Sequence, residues 1–365
     1  MNIRCAGLAA IIVSGLMMGC GGGGSSSSSN SYGGGGMVGY TATALVSDGS
    51  GTPHTDSNLV NGWGVAFNPN GYAWVADAAT AKSTLYDGNG VPQSLIVSIP
   101  TGSAGAASPT GIVYNGSTDF VVTGGSGTGS AQFIFASESG TISAWSPAAD
   151  ATNALKMVDN GASGAVYKGL ALASDSGANK LYATDFHNGR VDVFNASFAP
   201  VTVAGGFVDA TLPAGYAPFG IQQLGGKLYV SYAKQDAAAH DNVPGAGLGI
   251  VDVFDTQGNL LTHLVAAGGS LDSPWGIVIA PATFGTLSNL LLVGNFGDGK
   301  INAFNATTGA FMGTINNSSG SPIVIDGLWG IAFGNGLFSQ STKSLFYAAG
   351  PLSETHGRYG KIDAN

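Results

Sequence analysis

The chain has 365 residues, 60 of them glycine, with a formal net charge of −9 and 9% charged residues. That length is ample for a buried core. The acidic balance lacks the basic stripe that nucleic acid requires, so no nucleic-acid partner is expected. No run after Cys20 is long and apolar enough for a transmembrane helix.

The N-terminus reads MNIRCAGLAAIIVSGLMMGC. Arg4 precedes a short apolar run that is too brief to span a bilayer, so residues 1–19 read as a signal peptide. The end of that run, LMMGC, resembles a bacterial lipobox, with Met17 where leucine is usual. The resemblance implies cleavage before Cys20 and a lipid on Cys20. The alternative is an ordinary secretory signal with a chance cysteine. Cys5 lies inside the signal, so the mature chain keeps one cysteine and no internal disulfide. Residues 21–36 are GGGGSSSSSNSYGGGG, a composition that cannot bury apolar surface. Residues 20–37 therefore read as a Gly/Ser-rich tether. The expected location is extracytoplasmic, at a bacterial envelope or cell surface, with the lipid holding the protein to a membrane.

From residue 38 onward the pattern is all-β. Short apolar runs alternate with Gly, Asn, Asp and Pro, and no long stretch has helical periodicity. One motif recurs six times: NGWGVAF, SPTGIVY, VYKGLAL, APFGIQQ, SPWGIVI and DGLWGIAF. Its anchor glycines are Gly64, Gly111, Gly169, Gly220, Gly276 and Gly330, spaced by about 53 residues on average. Repeats of roughly 40–50 residues that hold four strands are propeller blades.

The strands follow in order. The first copy gives GVAFN, AWVAD, STLYDG and QSLIVSI. In the second, DFVVT and FIFAS compete for strand two, and FIFAS is preferred because SESGTISAW follows it as DFHNGRVDVF follows its equivalent. The third gives GLALA, LYATD and RVDVF, with a fourth strand expected near residues 200–204. The fifth gives GIVIA, LLLVGN and KINAF. The sixth ends after GIAFG, LFYAAG and RYGKID, leaving its outer position open. Residues 39–46, GYTATALV, are expected to fill it and close the ring, because an open ring exposes two sheet edges.

The pattern P-x-G-I-A, L-Y-V-A-D, N-x-R-V-x-V-F resembles the NHL-type propeller repeat. As a set, NGWGVAF, LYATDFHNGRVDVF, SPWGIVIAPATFG, LLVGNFGDGKINAF and GLWGIAFGNG resemble a family of bacterial exported six-bladed propellers. The resemblance spans residues 38–365. It implies a six-bladed, four-stranded propeller and an extracytoplasmic location, and it implies no activity.

In such a ring, the turns before strand one and after strand two share one face. That face collects Asn61, Asp77, Glu138, Asp185, His187, Asn188, Lys234, Asp236, His240, Asp241, Asn295, Asp298, Asp326, Glu354 and His356. The stretches 234–247 and 350–358 are longer than hairpins need, and long loops in compact folds are often functional. One reading makes this a ring of ligands for a polar molecule or a divalent metal, with His187, His240, His356 and Asp185 as metal candidates. The plainer reading is that Asp77, Asp185 and Asn295 accept backbone N–H bonds within their own turns. Trp63, Trp275 and Trp329, just before their anchor glycines, read as packing between blades or as platforms for a sugar. GSGTG at residues 125–129 lacks the helix a phosphate loop needs.

Two functions follow. The first is a tethered binding or scaffold propeller, monomeric, with a protein, glycan or small-molecule ligand. The second is a metal-dependent hydrolase or lactonase. Resemblance to six-bladed enzymes with a metal at the channel mouth would give Glu138, Asp185 and Asn295 the ligand roles. No G-x-S-x-G, H-E-x-x-H or EF-hand motif supports catalysis directly.

Overall fold

The computed structural model describes residues 39–365. The signal segment, Cys20 and the Gly/Ser-rich tether lie outside the described residues. The rest forms six small sheets arranged as the blades of a propeller. The six inner strands are Gly62–Phe67, Pro109–Tyr114, Tyr167–Asp175, Tyr216–Leu224, Pro274–Ile279 and Leu328–Phe333. Each packs against the inner strand of the next blade, and Leu328–Phe333 packs back onto Gly62–Phe67.

The anchor glycines make this approach possible. A Cβ on Gly220 would lie 2.1 Å from the Trp275 carbonyl oxygen, and one on Gly330 would lie 2.5 Å from that of Trp63. No side chain fits there, so the inner strands touch backbone to backbone.

The ring closes as the sequence suggests. Tyr40–Ser47 runs antiparallel to Arg358–Ala364, from Tyr40 opposite Ala364 to Ser47 opposite Arg358. The Tyr40 hydroxyl donates to the Phe284 carbonyl at 3.0 Å and accepts from the Leu287 amide at 3.0 Å, which ties the closing strand to blade five. A short strand, His54–Thr55, adds parallel to its outer side.

Blade two confirms FIFAS as strand two. Phe133–Ser137 lies between Pro109–Tyr114 and Thr141–Trp145. The competing segment forms a separate hairpin, Val121–Gly124 with Gly127–Ser130, so the GSGTG run supplies its turn, Gly125-Ser126, and the start of its second strand.

Blade three departs from the four-stranded expectation. Its sheet has three strands, Tyr167–Asp175, Ala178–Asp185 and Arg190–Asn195. At the fourth position the chain makes only one bridge, Phe194 to Pro200, formed by two backbone bonds, from the Asn195 amide to Ala199 and from the Val201 amide to Val193. Phe198 sits at φ 62, which turns the chain out of strand geometry. Residues 196–215 then run without a strand, the longest such connection among the described residues.

Between blades, side chains alternate by the two-residue period of a strand. In Gly249–Phe254, Ile250 and Phe254 pack toward blade three, while Val251 and Val253 pack toward blade five.

Two outcomes test this account. Removing Tyr40–Ser47 should leave the Arg358–Ala364 edge bare and yield aggregated or unfolded protein, whereas removing residues 21–36 should not change the melting temperature. Gly220→Ala should lower Tm by several degrees, since overpacking a filled core costs about 1–3 kcal/mol. Gly49→Ala is the control, because a Cβ there meets nothing within 4 Å.

Candidate functional site

At one end of the central channel the side chains just before the anchor glycines converge. They are Trp63, Thr110, Lys168, Phe219, Trp275 and Trp329. Four of the six are aromatic, and these close the channel. Trp63 and Trp329 stack with centroids 3.4 Å apart, Trp275 meets Trp63 edge-on at 5.9 Å, and Phe296 stacks on Trp329 at 4.0 Å. All three indoles are buried in this cluster, so the packing reading of these tryptophans holds. All three indole N–H groups are buried and take no partner. Deeper along the axis, the glycine-lined passage narrows to a cavity of about 40 Å³.

Lys168 is the exception in this ring. It is 1% exposed. Its ammonium lies 5.3 Å from the Trp63 ring centroid and 5.8 Å from that of Phe186, in the range of cation–π attraction. It donates to Glu138 Oε1 and reaches Asp241 Oδ1 at 3.4 Å. A lysine therefore bridges two carboxylates above an aromatic floor.

The carboxylates come from turns and loops of the expected face. Glu138 follows strand two of blade two, and its Oε2 accepts from the Ser108 hydroxyl at 2.8 Å. Asp241 and His240 lie in the long connection of blade four, where Asp236 accepts both their backbone amides, at 2.9 Å from His240 and 3.3 Å from Asp241. His240 Nδ1 is 3.0 Å from Asp241 Oδ1. Burial lifts the Asp241 carboxyl, but the Lys168 ammonium and the His240 ring outweigh it and hold the group below the usual range.

Glu354 belongs to the other long connection. Leu352, Ser353 and Glu354 all have left-handed backbones, at φ 56, 55 and 64. Three such residues in a row are costly and persist only where the surroundings fix them. Here the Leu352 amide donates to Asp326 at 2.8 Å, the Glu354 amide to Gly350 at 3.1 Å, and the Thr355 hydroxyl to Leu352 at 2.7 Å. Burial pushes the Glu354 carboxyl up. Asn61 beside it pulls it down, and the charge of Glu138 adds to the rise. Its Oε1 and Asn61 Oδ1 are buried without partners.

The remaining candidates are dispersed. Asp185 accepts from the Val166 amide and from the Asn188 amide and side chain, and it pairs with Arg190 at 3.4 Å. That is the turn-capping role. Burial nevertheless raises its carboxyl. Asn295 donates its side-chain N–H to the Ser270 carbonyl at 2.9 Å and to Asp298 at 3.0 Å, so it acts as a donor rather than an acceptor. Asp298 also holds Lys300. Asp77 is fully buried and makes no cap bond. Burial drives its carboxyl well above the usual range, with Thr84 opposing. His187 lies against Gly164, and His356 Nδ1 contacts Asp48 at 2.8 Å. The ligand-type groups that converge near His240 are Glu138 and Asp241, with donor atoms within 4.8 Å of one another. His187, His356 and Asp185 do not join that group. Lys168 was legible as an oddity, since VYKGLAL carries a lysine where four of the other copies carry an aromatic residue.

Next to Glu138 and His240 opens a cleft of about 290 Å³. Its walls include Ala104, Gly161, Gly164 and Ala165, with Ser108 and Ser139 as polar groups.

No protein-family model matches the chain. It is 34% identical over 290 residues to uncharacterized protein R648 of Acanthamoeba polyphaga mimivirus, covering 76% of this chain and 70% of that protein. With uncharacterized protein L690 of the same virus it shares 31% identity over 316 residues, covering 85% of this chain and 81% of the other. Among solved structures, a protein of unknown function from Bacteroides thetaiotaomicron aligns with a TM-score of 0.55 and 11% identity, over 89% of this chain and 76% of that one. At that identity the likeness shows the fold alone. The chain belongs to the protein family that contains R648 and L690 of the mimivirus.

Proposed function

We propose that this chain is a binding propeller, NHL-like in its repeat and held at a membrane by lipid on Cys20. Its ligand would be a small hydroxyl-rich molecule seated against Glu138, Lys168, Asp241 and Glu354. The observation that carries this reading is the buried Lys168. Four of the five equivalent positions are aromatic and one is threonine, so the ring closes without a charge there. A buried ion pair is a poor way to gain stability, because desolvation offsets most of the attraction. The charge is better explained by what it meets at the mouth. An ammonium beside three carboxyl groups offers donors and acceptors together, as polyol recognition needs, and the adjoining cleft has small-residue walls.

The metal-dependent hydrolase reading draws support from the proximity of Glu138, His240 and Asp241. Against it, the cation between Glu138 and Asp241 is the lysine. A glycan array followed by calorimetry separates the two. The binding reading expects saccharide affinity that falls at least about tenfold in Lys168→Met and in Glu138→Gln. Metal-dependent hydrolysis of a lactone or phosphoester, lost in His240→Ala, would replace it with the enzyme reading.

Stability gives an independent check. Lys168→Met strands Glu138 and should cost about 3–5 kcal/mol, and adding Glu138→Gln should recover part of the loss. Glu354 adds a pH signature. Its folded carboxyl titrates above the unfolded one, so the folded state binds more protons through that interval and stability falls as pH rises across it. Glu354→Gln should flatten that slope in thermal melts between pH 4 and pH 8. For the anchor, Cys20→Ser should shift the protein from the membrane pellet to the supernatant after a carbonate wash. Continued pelleting would remove Cys20 from the proposal.

A further inference from the structure

A second cluster lies away from the channel, at the outer interface of blades three and four. Asp252 sits mid-strand in Gly249–Phe254 and, by alternation, points the same way as Ile250 and Phe254, toward blade three. His263, on the outer strand Leu260–Val265, is its register partner. Asp209 comes from the strand-free connection 196–215. His263 Nδ1 lies 2.8 Å from Asp252 Oδ1 and 3.0 Å from Asp209 Oδ2.

One nitrogen thus faces two carboxylates. An imidazole nitrogen without a proton would turn its lone pair on both, which is repulsive. A single proton bonds well to only one of them. The surroundings leave further polar atoms unused. Asp252 is 0% exposed and its Oδ2 has no partner, and Tyr232, 1% exposed, has its hydroxyl facing the same carboxylates without a well-formed hydrogen bond.

Blade three supplies an internal comparison. RVDVF and IVDVF are copies of one motif, so Asp192 and Asp252 are equivalent. Asp192 is satisfied by Arg190 Nε at 2.7 Å and by the Tyr167 hydroxyl at 2.8 Å. Blade four has isoleucine in place of that arginine, and its aspartate keeps an orphaned oxygen.

We infer that Asp209, Asp252 and His263 bind one first-row divalent metal ion of the zinc type, which staples the 196–215 connection to blade four. Zinc bonds to nitrogen and carboxylate oxygen are about 2.0–2.2 Å, which at tetrahedral or octahedral angles puts donor atoms about 3.0–3.5 Å apart. Of the observed separations, 3.0 Å to Asp209 lies at the short end of that range and 2.8 Å to Asp252 falls just below it, a contact that an ion would widen slightly, and all three donor atoms fall within 4.8 Å of one another. One imidazole with two carboxylates suits zinc or manganese better than calcium, which prefers oxygen donors alone. Asp209 is aimed by its own turn, since its Oδ1 accepts from the Thr211 amide and hydroxyl at 2.8 and 2.7 Å, leaving Oδ2 toward His263. The His263 side chain is 32% exposed, which gives an ion a way in. The staple falls where blade three lacks a regular fourth strand.

The test is a thermal melt and calorimetric titration of the full chain with Zn²⁺, with Ca²⁺ as comparison. The expected result is one zinc per chain at this cluster and a rise in Tm on the order of 5 °C at about 100 times Kd. His263→Ala should abolish that rise, while His240→Ala, at the channel mouth, should keep it. Asp209→Asn, in the connection, is the second variant if His263→Ala loses its circular dichroism spectrum, and it should weaken zinc binding at least tenfold. The inference is overturned if zinc leaves Tm unchanged, if the rise survives in His263→Ala, or if it is lost in His240→Ala alone.

Discussion

The inner strands meet closely enough that a methyl group cannot come between them. At Gly220 and Gly330 a Cβ would lie 2.1 and 2.5 Å from the carbonyl oxygen of the next blade. That backbone contact sets the radius of the ring. The radius in turn decides what the side chains one residue earlier can do. In so narrow a passage, four aromatic residues suffice to close one end, and Trp63 on Trp329 at 3.4 Å is the centre of that closure. The channel is therefore a shallow mouth over a plug, and chemistry is confined to what projects above it. A wider ring would have left Lys168 in open solvent. Here it is held between Glu138 and Asp241, over Trp63.

The repeat made the fold legible because it is a statement about backbone. Anchor glycines, strand periods and turn residues recur at similar spacing, and each copy reports the same contact. Ring closure by Tyr40–Ser47 was legible for a related reason, since a strand lacked a blade and a blade lacked a strand. The missing fourth strand of blade three was not. Residues 200–204 look apolar enough for an edge strand, but Phe198 with φ 62 turns the chain so that the pairing stops at a single bridge of two backbone bonds. Strand propensity is silent on such local conflicts.

The candidate site was half legible. Placing residues on a face needs only topology, so Glu138, His240, Asp241, Glu354 and Asn61 were on the correct side. Deciding which of them meet needs the depth and direction of each turn. His356 turns outward to Asp48, Asp185 turns inward to its own backbone, and Asn295 donates where an acceptor was expected. None of these directions is encoded in spacing. Lys168 is visible in the repeat motif as a departure from the aromatic pattern, but its partners, Glu138 and Asp241, come from other blades and are not named by the motif.

The two carboxylate clusters show how one problem takes different solutions in one chain. At the mouth, Glu138 and Asp241 share one lysine from the inner strand, so the compensating charge is covalently supplied and cannot leave. At the outer edge, Asp209 and Asp252 face a histidine nitrogen that can satisfy one of them at a time. Asp192 in the neighbouring blade shows what full satisfaction looks like, with arginine and tyrosine both in place. The difference follows from strand position. An inner-strand side chain is surrounded by other blades and must carry its own counter-charge. An outer-strand cluster borders solvent, from which a proton or a metal ion can be recruited. The partly exposed His263 therefore leaves exchangeable the very counter-charge that the buried Lys168 makes permanent.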